Sequence, residues 1–140
     1  MLTRIDYVAV YVADQRAALD FYVDTLGFEL RHCSPGGIIN WGYDLTVGLP
    51  GQRMMLQLTL RPPGDTSRST PIMLSCTDLE QTYHALLAKG VRFHCHLNGG
   101  LEFVSFYDPD GNEFYMSDNS QNWIDENALA RMKQGVPDGP

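Results

Sequence analysis

Residues 7–28 have the sequence YVAVYVADQRAALDFYVDTLGF, which combines a strand pattern and a helix pattern in one short segment. Valine alternates with tyrosine and alanine over residues 7–12, which predicts a strand that is covered on both faces. Asp14 stands where a helix N-cap is needed, and apolar residues follow it at helical spacing. Gly27 can take the left-handed conformation that ends a helix. We therefore expect a strand, a helix and a second strand that begins at Phe28.

The second half of the chain repeats this order. A strand pattern at 71–76 precedes Asp78, which corresponds to Asp14, and Gly90 follows the next helical stripe as Gly27 follows the first. Each half continues with three further strand patterns, so each is one βαβββ module. We predict a single α+β domain over residues 1–140, with a first module at about 4–60, a linker at 61–70, a second module at about 71–118 and a C-terminal helical tail at 119–140.

The faces of the sheets that no helix covers are the predicted ligand site. Each module has one helix for four strands, so the opposite faces of two modules can surround a cavity within a curved mixed sheet. The alternative is an ordinary sheet with one wet face. The side chains on these faces are bulky and partly polar, as in ligand pockets, and the aromatic rings can stack on a planar or cationic ligand. The predicted ligand-binding residues are Tyr7, Tyr11, Trp41, Gln57, Met73, Glu113 and Tyr115.

Composition argues against several classes of function. The chain has 10 basic and 17 acidic residues and a formal net charge of −7, which disfavours binding to a phosphate backbone. Its apolar runs are far shorter than the ~20 residues of a membrane span, and its N-terminus has no apolar signal segment. The 3 cysteines lack the spacing of a zinc site, and unpaired thiols suit a reducing compartment. We expect a cytoplasmic protein with no nucleic-acid or membrane partner.

Acidic residues dominate the segment between Arg92 and Arg131, where no lysine or arginine occurs. Carboxylates that shared one face there would attract cations and could supply a counter-charge to a cationic ligand. The same residues can instead serve in turns and helix caps, where aspartate is common. The sequence leaves both interpretations open.

Two separated motifs resemble those of the vicinal oxygen chelate superfamily, which includes glyoxalase I, bleomycin-resistance proteins and extradiol dioxygenases. The first motif is the pattern of residues 5–14, followed by Phe21-Tyr22 and Leu26-Gly27-Phe28, and the second is FYDPDGN at 106–112. The resemblance covers about residues 4–118 and implies the paired-module fold. Relatives commonly form homodimers, and a second copy could cover the sheet edges and cavity rims, so we expect a homodimer.

The enzymes of this superfamily usually hold one divalent metal through His or Glu at four symmetric positions. In this sequence those positions match Tyr7, Gln57, Pro71 and Tyr115. Proline has no ligating side-chain atom, and glutamine and tyrosine are uncommon ligands for catalytic transition metals. The resemblance therefore implies a protein that binds a small organic molecule without a metal cofactor, similar to the antibiotic-sequestering members.

An alternative is a lyase or dioxygenase of the same superfamily that uses a non-standard metal or acid–base site. His94 and His96 lie two apart on a predicted strand and face the same way, and Glu113 and Tyr115 lie on another strand. Two imidazoles at that spacing can hold a metal if the fold supplies further ligands. The competing interpretation is an exposed polar strand face, which Arg92 in the same row favours.

A short amphipathic helix is expected after Asp118. Ile124, Ala128 and Met132 recur at four-residue intervals and form an apolar stripe that must be buried somewhere. The helix can cover the cavity, support a dimer or pack against its own domain.

Overall fold

The structure is a computed structural model that describes residues 1–36, 42–65, 71–95, 103–118, 124–137 and 139. The first module contains strand β1, helix α1 with a π-helical continuation at Phe21–Thr25, and three further strands. The bounds are β1 at Tyr7–Val12, α1 at Gln15–Asp20, β2 at Glu29–Pro35, β3 at Tyr43–Gly48 and β4 at Met55–Leu60.

The second module has the same order of elements and is followed by a C-terminal helix. The bounds are β5 at Ile72–Ser75, α2 at Leu79–Ala88, β6 at Arg92–Cys95, β7 at Val104–Tyr107, β8 at Glu113–Ser117 and α3 at Glu126–Lys133. The predicted α+β class, the βαβββ repeat and the C-terminal helix are confirmed.

The helix boundaries follow the local chemistry that the sequence indicated. The Asp14 carboxylate accepts a hydrogen bond from the backbone N–H of Ala17 at 3.1 Å, and Asp78 caps α2 in the same way. Gly27 and Gly90 end the two helical segments with φ values of 87° and 86°, in the left-handed region that glycine takes without strain. The same aspartate caps and glycine ends therefore bound the helical segment in each module, so the strands that follow run in equivalent directions.

The strands form two mixed four-stranded sheets. The order is β1-β4-β3-β2 in the first sheet and β5-β8-β7-β6 in the second. In each sheet the first strand pairs in parallel with the last, whereas the other pairs are antiparallel. The first strand of each module can pair in this direction because the helix carries the chain back across one face of the sheet.

Both helices contribute to one hydrophobic core that continues between the modules. Val10 and Leu58 are fully buried on the helix-covered face of the first sheet, and Phe114 lies on the corresponding face of the second. The Tyr22 ring connects the two modules, since its centroid lies 5.6 Å from that of Phe28 in the first module and 6.0 Å from that of Phe114 in the second. Because successive side chains of a strand point to opposite faces, the residues that alternate with these core residues lie on the faces that no helix covers.

The turn between β7 and β8 fastens the two modules together. The buried Asp108 carboxylate accepts a hydrogen bond from the Tyr22 hydroxyl at 2.8 Å and another from the Asn112 side chain at 2.8 Å. Asn112 also donates to the backbone carbonyl of Tyr11, and Asp110 accepts from the backbone N–H of Ala13. The FYDPDGN motif thus connects the second module to the first strand and first helix of the chain.

The C-terminal helix has little contact with the rest of the described chain. Asp125 caps it through the backbone N–H of Ala128, but none of its residues is buried. Ile124 and Met132 of the predicted apolar stripe are 67% and 62% exposed. Within the described ranges no helix is long and apolar enough to cross a membrane.

Candidate functional site

The first sheet has a helix-free face, here termed open face A, that carries both tyrosines of β1. Tyr7, Ala9 and Tyr11 alternate with core residues, and their register partners on β4 are Met55, Gln57 and Thr59. Tyr7 is 44% exposed and Tyr11 is partly buried. Open face A therefore presents aromatic surface along one edge of the sheet.

A polar row runs beside these tyrosines on open face A. The Gln57 amide nitrogen donates to Asp44 Oδ1 at 2.9 Å, and its amide oxygen accepts from the Thr59 hydroxyl at 3.2 Å. His32 Nε2 lies 3.6 Å from Asp44 Oδ2 and 2.9 Å from the Ser34 hydroxyl. These contacts fix the orientation of the Gln57 amide and place a carboxylate next to it.

Thr46 is a buried polar residue of the same row. It is opposite Gln57 in the β3–β4 register and is 3% exposed. Its hydroxyl has no hydrogen-bond partner among the described residues. Buried polar groups are usually satisfied, so this hydroxyl is a candidate contact for a ligand on open face A.

The second sheet has a corresponding helix-free face, here termed open face B. Met73 is 55% exposed on β5, and Tyr115 of β8 makes an edge contact with Phe103, with 5.7 Å between ring centroids. Tyr107 is opposite Glu113 in the β7–β8 register. Open face B therefore also combines aromatic rings with a carboxylate.

A close pair of titratable side chains lies on open face B. His94 Nδ1 is 2.7 Å from Glu113 Oε2, and the His94 ring stacks on Tyr107 with 5.6 Å between centroids. A hydrogen bond from His94, and secondarily one from Tyr115, hold the pKa of Glu113 below its usual value. The guanidinium of Arg92 lies 5.8 Å from the Tyr107 ring centroid. An ionised carboxylate thus orients the imidazole.

The predicted site residues are divided between the two sheets. Open face A carries Tyr7, Tyr11 and Gln57, and open face B carries Met73, Glu113 and Tyr115. Trp41 and His96 lie outside the described residues. That these side chains share one cavity stays a prediction.

Of two cavities in the described chain, one lies away from the open faces and the other reaches open face B at Met73. One of about 530 Å³ is on the helix side of the first sheet and is lined by residues that include Gln15, Tyr43 and Leu45. Another of about 400 Å³ lies between the modules and includes Phe28 and Met73 in its lining. Of the predicted site residues, Met73 alone lines either of these two cavities.

Several carboxylates of the acidic second half accept hydrogen bonds from backbone N–H groups. Asp118 accepts from the backbone N–H of Leu79 at the start of α2, and Asp125 caps α3. Asp108 and Asp110 belong to the turn between β7 and β8, and burial raises the pKa of Asp110. The interpretation as turn and cap residues therefore accounts for these four, whereas Glu113 lies on open face B.

The residues at the four metal-ligand positions do not fit a catalytic metal site. Both ends of the Gln57 amide are already hydrogen-bonded, and Pro71 has no donor atom. The Tyr115 hydroxyl bonds to Glu113. In the part of the chain that the structure describes, no group of three or more His, Cys, Asp or Glu side chains is arranged to hold a metal ion.

Sequence reasoning missed the polar neighbours that the sheet register brings to these faces. Asp44, Thr46 and His32 were not predicted as site residues, although they form the row beside Gln57. Their alternation along β2 and β3 carries a weak signal, but the register between strands is needed to place them beside Gln57. Tyr107 was missed in the same way beside His94.

The similarity of this chain to known proteins extends over most of its length. The model of the Glyoxalase/Bleomycin resistance protein/Dioxygenase superfamily matches residues 4–116. The chain is 32% identical over 124 residues to the uncharacterized protein YetH of Bacillus subtilis (strain 168). This alignment covers 84% of this chain and 100% of YetH.

Solved structures give the same assignment. TnmS3, an antibiotic binding protein from Streptomyces sp. CB03234, is similar with a TM-score of 0.72 and 30% identity, over 85% of this chain and 98% of that one. A glyoxalase/bleomycin resistance protein from the same organism has a TM-score of 0.65 and 30% identity, over 81% of this chain and 99% of its own. The chain therefore belongs to the Glyoxalase/Bleomycin resistance protein/Dioxygenase superfamily.

Proposed function

We propose that this protein binds a small planar organic molecule, without covalent chemistry, on the helix-free faces of its sheets. The observation that carries the proposal is the composition of open face A. An exposed aromatic residue, Tyr7, lies on the same face as two buried polar side chains, the hydrogen-bonded amide of Gln57 and the hydroxyl of Thr46, which lacks a partner among the described residues. Aromatic rings supply contact area, and a few oriented polar groups give specificity.

The similarity to TnmS3 supports this proposal. That relative is described as an antibiotic binding protein, and it is 30% identical to this chain over most of both chains. By analogy, an antibiotic-like aromatic compound is the class of ligand that we propose here. Since function does not follow from fold, the proposal depends on open faces A and B rather than on the family alone.

We also propose that the functional form is a homodimer. Tyr7 and Met73 expose apolar surface on the two sheets, and Ile124 and Met132 expose it on α3. A second copy that covered these surfaces would stabilise the assembly and enclose the open faces into a cavity. Sedimentation should give twice the chain mass of 15.7 kDa at micromolar concentration, and a single chain mass would refute the dimer.

The proposed location is the cytoplasm. Cys33 and Cys76 are free thiols, and Cys33 is exposed. Exposed free thiols persist in reducing compartments and oxidise elsewhere. Fractionation of cells that express the protein at its natural level would test this location.

The binding proposal can be tested by a thermal-shift screen of planar aromatic antibiotics. A ligand at 100 times its Kd stabilises the folded state by about 2.7 kcal/mol. For a chain of 140 residues this corresponds to an increase in Tm of about 9 °C. We expect Tyr7→Ala to weaken the response, because it removes an aromatic ring from open face A.

Tyr43→Ala is the matched control. Tyr43 is also an exposed tyrosine, but it lines the cavity on the helix side of the first sheet. Its bonds to Gln15 use its backbone atoms, which the substitution keeps. A response that Tyr43→Ala abolishes and Tyr7→Ala leaves intact would place binding in the helix-side cavity and refute the proposal.

A second candidate is an enzyme that uses acid–base chemistry, and the contact between His94 and Glu113 is the observation that favours it. A carboxylate-oriented imidazole is a common general base. Mass spectrometry of the bound compound after long incubation separates the two functions, since an enzyme would convert the compound and a binding protein would return it unchanged.

A further inference from the structure

We propose that His94 determines ligand specificity on open face B, where its Nε2 atom accepts a hydrogen bond from a hydroxyl or N–H group of a planar ligand. This inference rests on the proposed binding function and adds the chemical class that the ligand must have. It concerns a residue outside the four positions that correspond to metal ligands in the family.

Three strands fix the position of the His94 ring. His94 lies on β6, stacks on Tyr107 of β7 at an interplanar angle of 20°, and contacts Glu113 of β8. Arg92 and Tyr107 are register partners, and so are Tyr107 and Glu113, so the cluster extends over three of the four strands of the second sheet. The imidazole is therefore held by one stacking contact and one hydrogen bond.

The carboxylate determines which imidazole nitrogen carries the proton. Hydrogen bonds from His94 and then Tyr115 hold the pKa of Glu113 below its usual value, so this group is ionised at neutral pH. An ionised carboxylate can only accept hydrogen bonds. The proton in the 2.7 Å contact must therefore belong to Nδ1 of His94. In the neutral imidazole, Nε2 then has the lone pair and acts as an acceptor.

With respect to the described residues, the Nε2 atom of His94 is open to a ligand. The His94 side chain is 58% exposed, whereas Glu113 behind it is 20% exposed. Among the described residues, the hydrogen bond of the His94 ring is the one that Nδ1 makes with Glu113. The aromatic rings of Tyr107 and Tyr115, which contact His94 and Phe103 respectively, lie on the same face and surround the His94 ring with aromatic surface. A planar molecule with a hydrogen-bond donor at its edge is the ligand class that this arrangement recognises.

A pair of probes that differ in one hydrogen-bond donor tests this inference. 2-Naphthol and 2-methoxynaphthalene have the same rings, but only the naphthol can donate. Kd values from fluorescence titration at neutral pH should favour the naphthol by about 2- to 10-fold, the range for one hydrogen bond. His94→Phe keeps a ring for stacking and should remove the preference, whereas His84→Phe on α2 should retain it.

Each outcome supports or overturns a specific claim. Equal affinity of the wild-type protein for both probes, or an unchanged preference in a folded His94→Phe variant, overturns the role of His94 and leaves the binding function intact. Failure of both probes to bind would instead count against the proposed function and, with it, this inference.

The tautomer can be measured without any variant. Long-range ¹H–¹⁵N correlation spectra of the wild-type protein should show a protonated Nδ1 and an unprotonated Nε2 in the neutral form of His94. A neutral imidazole with its proton on Nε2 would remove the proposed acceptor and overturn the inference.

Discussion

Replacing Tyr22 with phenylalanine removes one hydroxyl from the contact that joins the two modules. The Tyr22 side chain is fully buried, and its hydroxyl donates to Asp108 Oδ2 at 2.8 Å. Burial, and next the charge of Asp108, raise the pKa of Tyr22 far above its usual range, so the hydroxyl remains a donor. Without it, the buried carboxylate keeps its bonds from Asn112 and from the backbone N–H of Asp110 but loses one donor.

The expected loss of stability follows from the charge of the acceptor. A hydrogen bond to a charged group contributes about 1.5 to 3 kcal/mol. The unfolding entropy of a chain of 140 residues is about 0.3 kcal/mol/K, so Tm should fall by about 5 to 10 °C. The ring itself is retained, and its packing against Phe28 and Phe114 should be unchanged.

Differential scanning calorimetry of Tyr22→Phe beside Tyr7→Phe provides the assay. Tyr7 is 44% exposed on open face A, so loss of its hydroxyl should change Tm by less than about 1 to 2 °C. A Tyr22→Phe variant with the same Tm as the wild type would refute the reasoning, because the buried carboxylate would then not depend on this donor.

Three further changes have defined outcomes. Leu58→Ala, at a fully buried core position, should lower the free energy of unfolding in urea by about 2 to 5 kcal/mol, and a loss under about 1 kcal/mol would contradict the described core. Asp78→Ala removes the cap of α2 and should cost about 1 kcal/mol by the same measurement, whereas no change would show that the cap contributes nothing. Because Glu113 has a folded pKa below its unfolded value, its bond with His94 stabilises the fold above the usual carboxyl range and is lost as pH falls through the lowered pKa. Stability measured against pH should show this loss in the wild type and not in Glu113→Gln; identical profiles would contradict it.

The fold was predictable because its signals are short and are repeated. Asp14 and Gly27 mark the first helical segment, Asp78 and Gly90 mark the second, and each acts through its own backbone neighbourhood. The role of Asp108 was not predictable in this way. Its partner Tyr22 belongs to the other module, so only the folded chain shows that the turn holds the modules together.

The sequence was enough to predict on which face of the sheet each candidate residue lies, but not which residues of other strands lie beside it. Alternation along one strand places Tyr7 and Tyr11 on the opposite side from the core, which sequence can show. Placing Asp44 beside Gln57 requires the register between β3 and β4, and this depends on the loops and on tertiary packing. The position of His94 is harder still, because the β6–β7 register shifts between Phe93 and Cys95.

The location of a bound probe tests the central claim most directly. Amide ¹H–¹⁵N spectra of the protein, titrated with millimolar 2-naphthol, report which residues lie near the ligand. Binding at the helix-free faces predicts the largest shifts around Tyr7 and Tyr11 on open face A and around Tyr115 on open face B. Shifts confined to Gln15 and Tyr43, at the cavity on the helix side of the first sheet, would contradict the account.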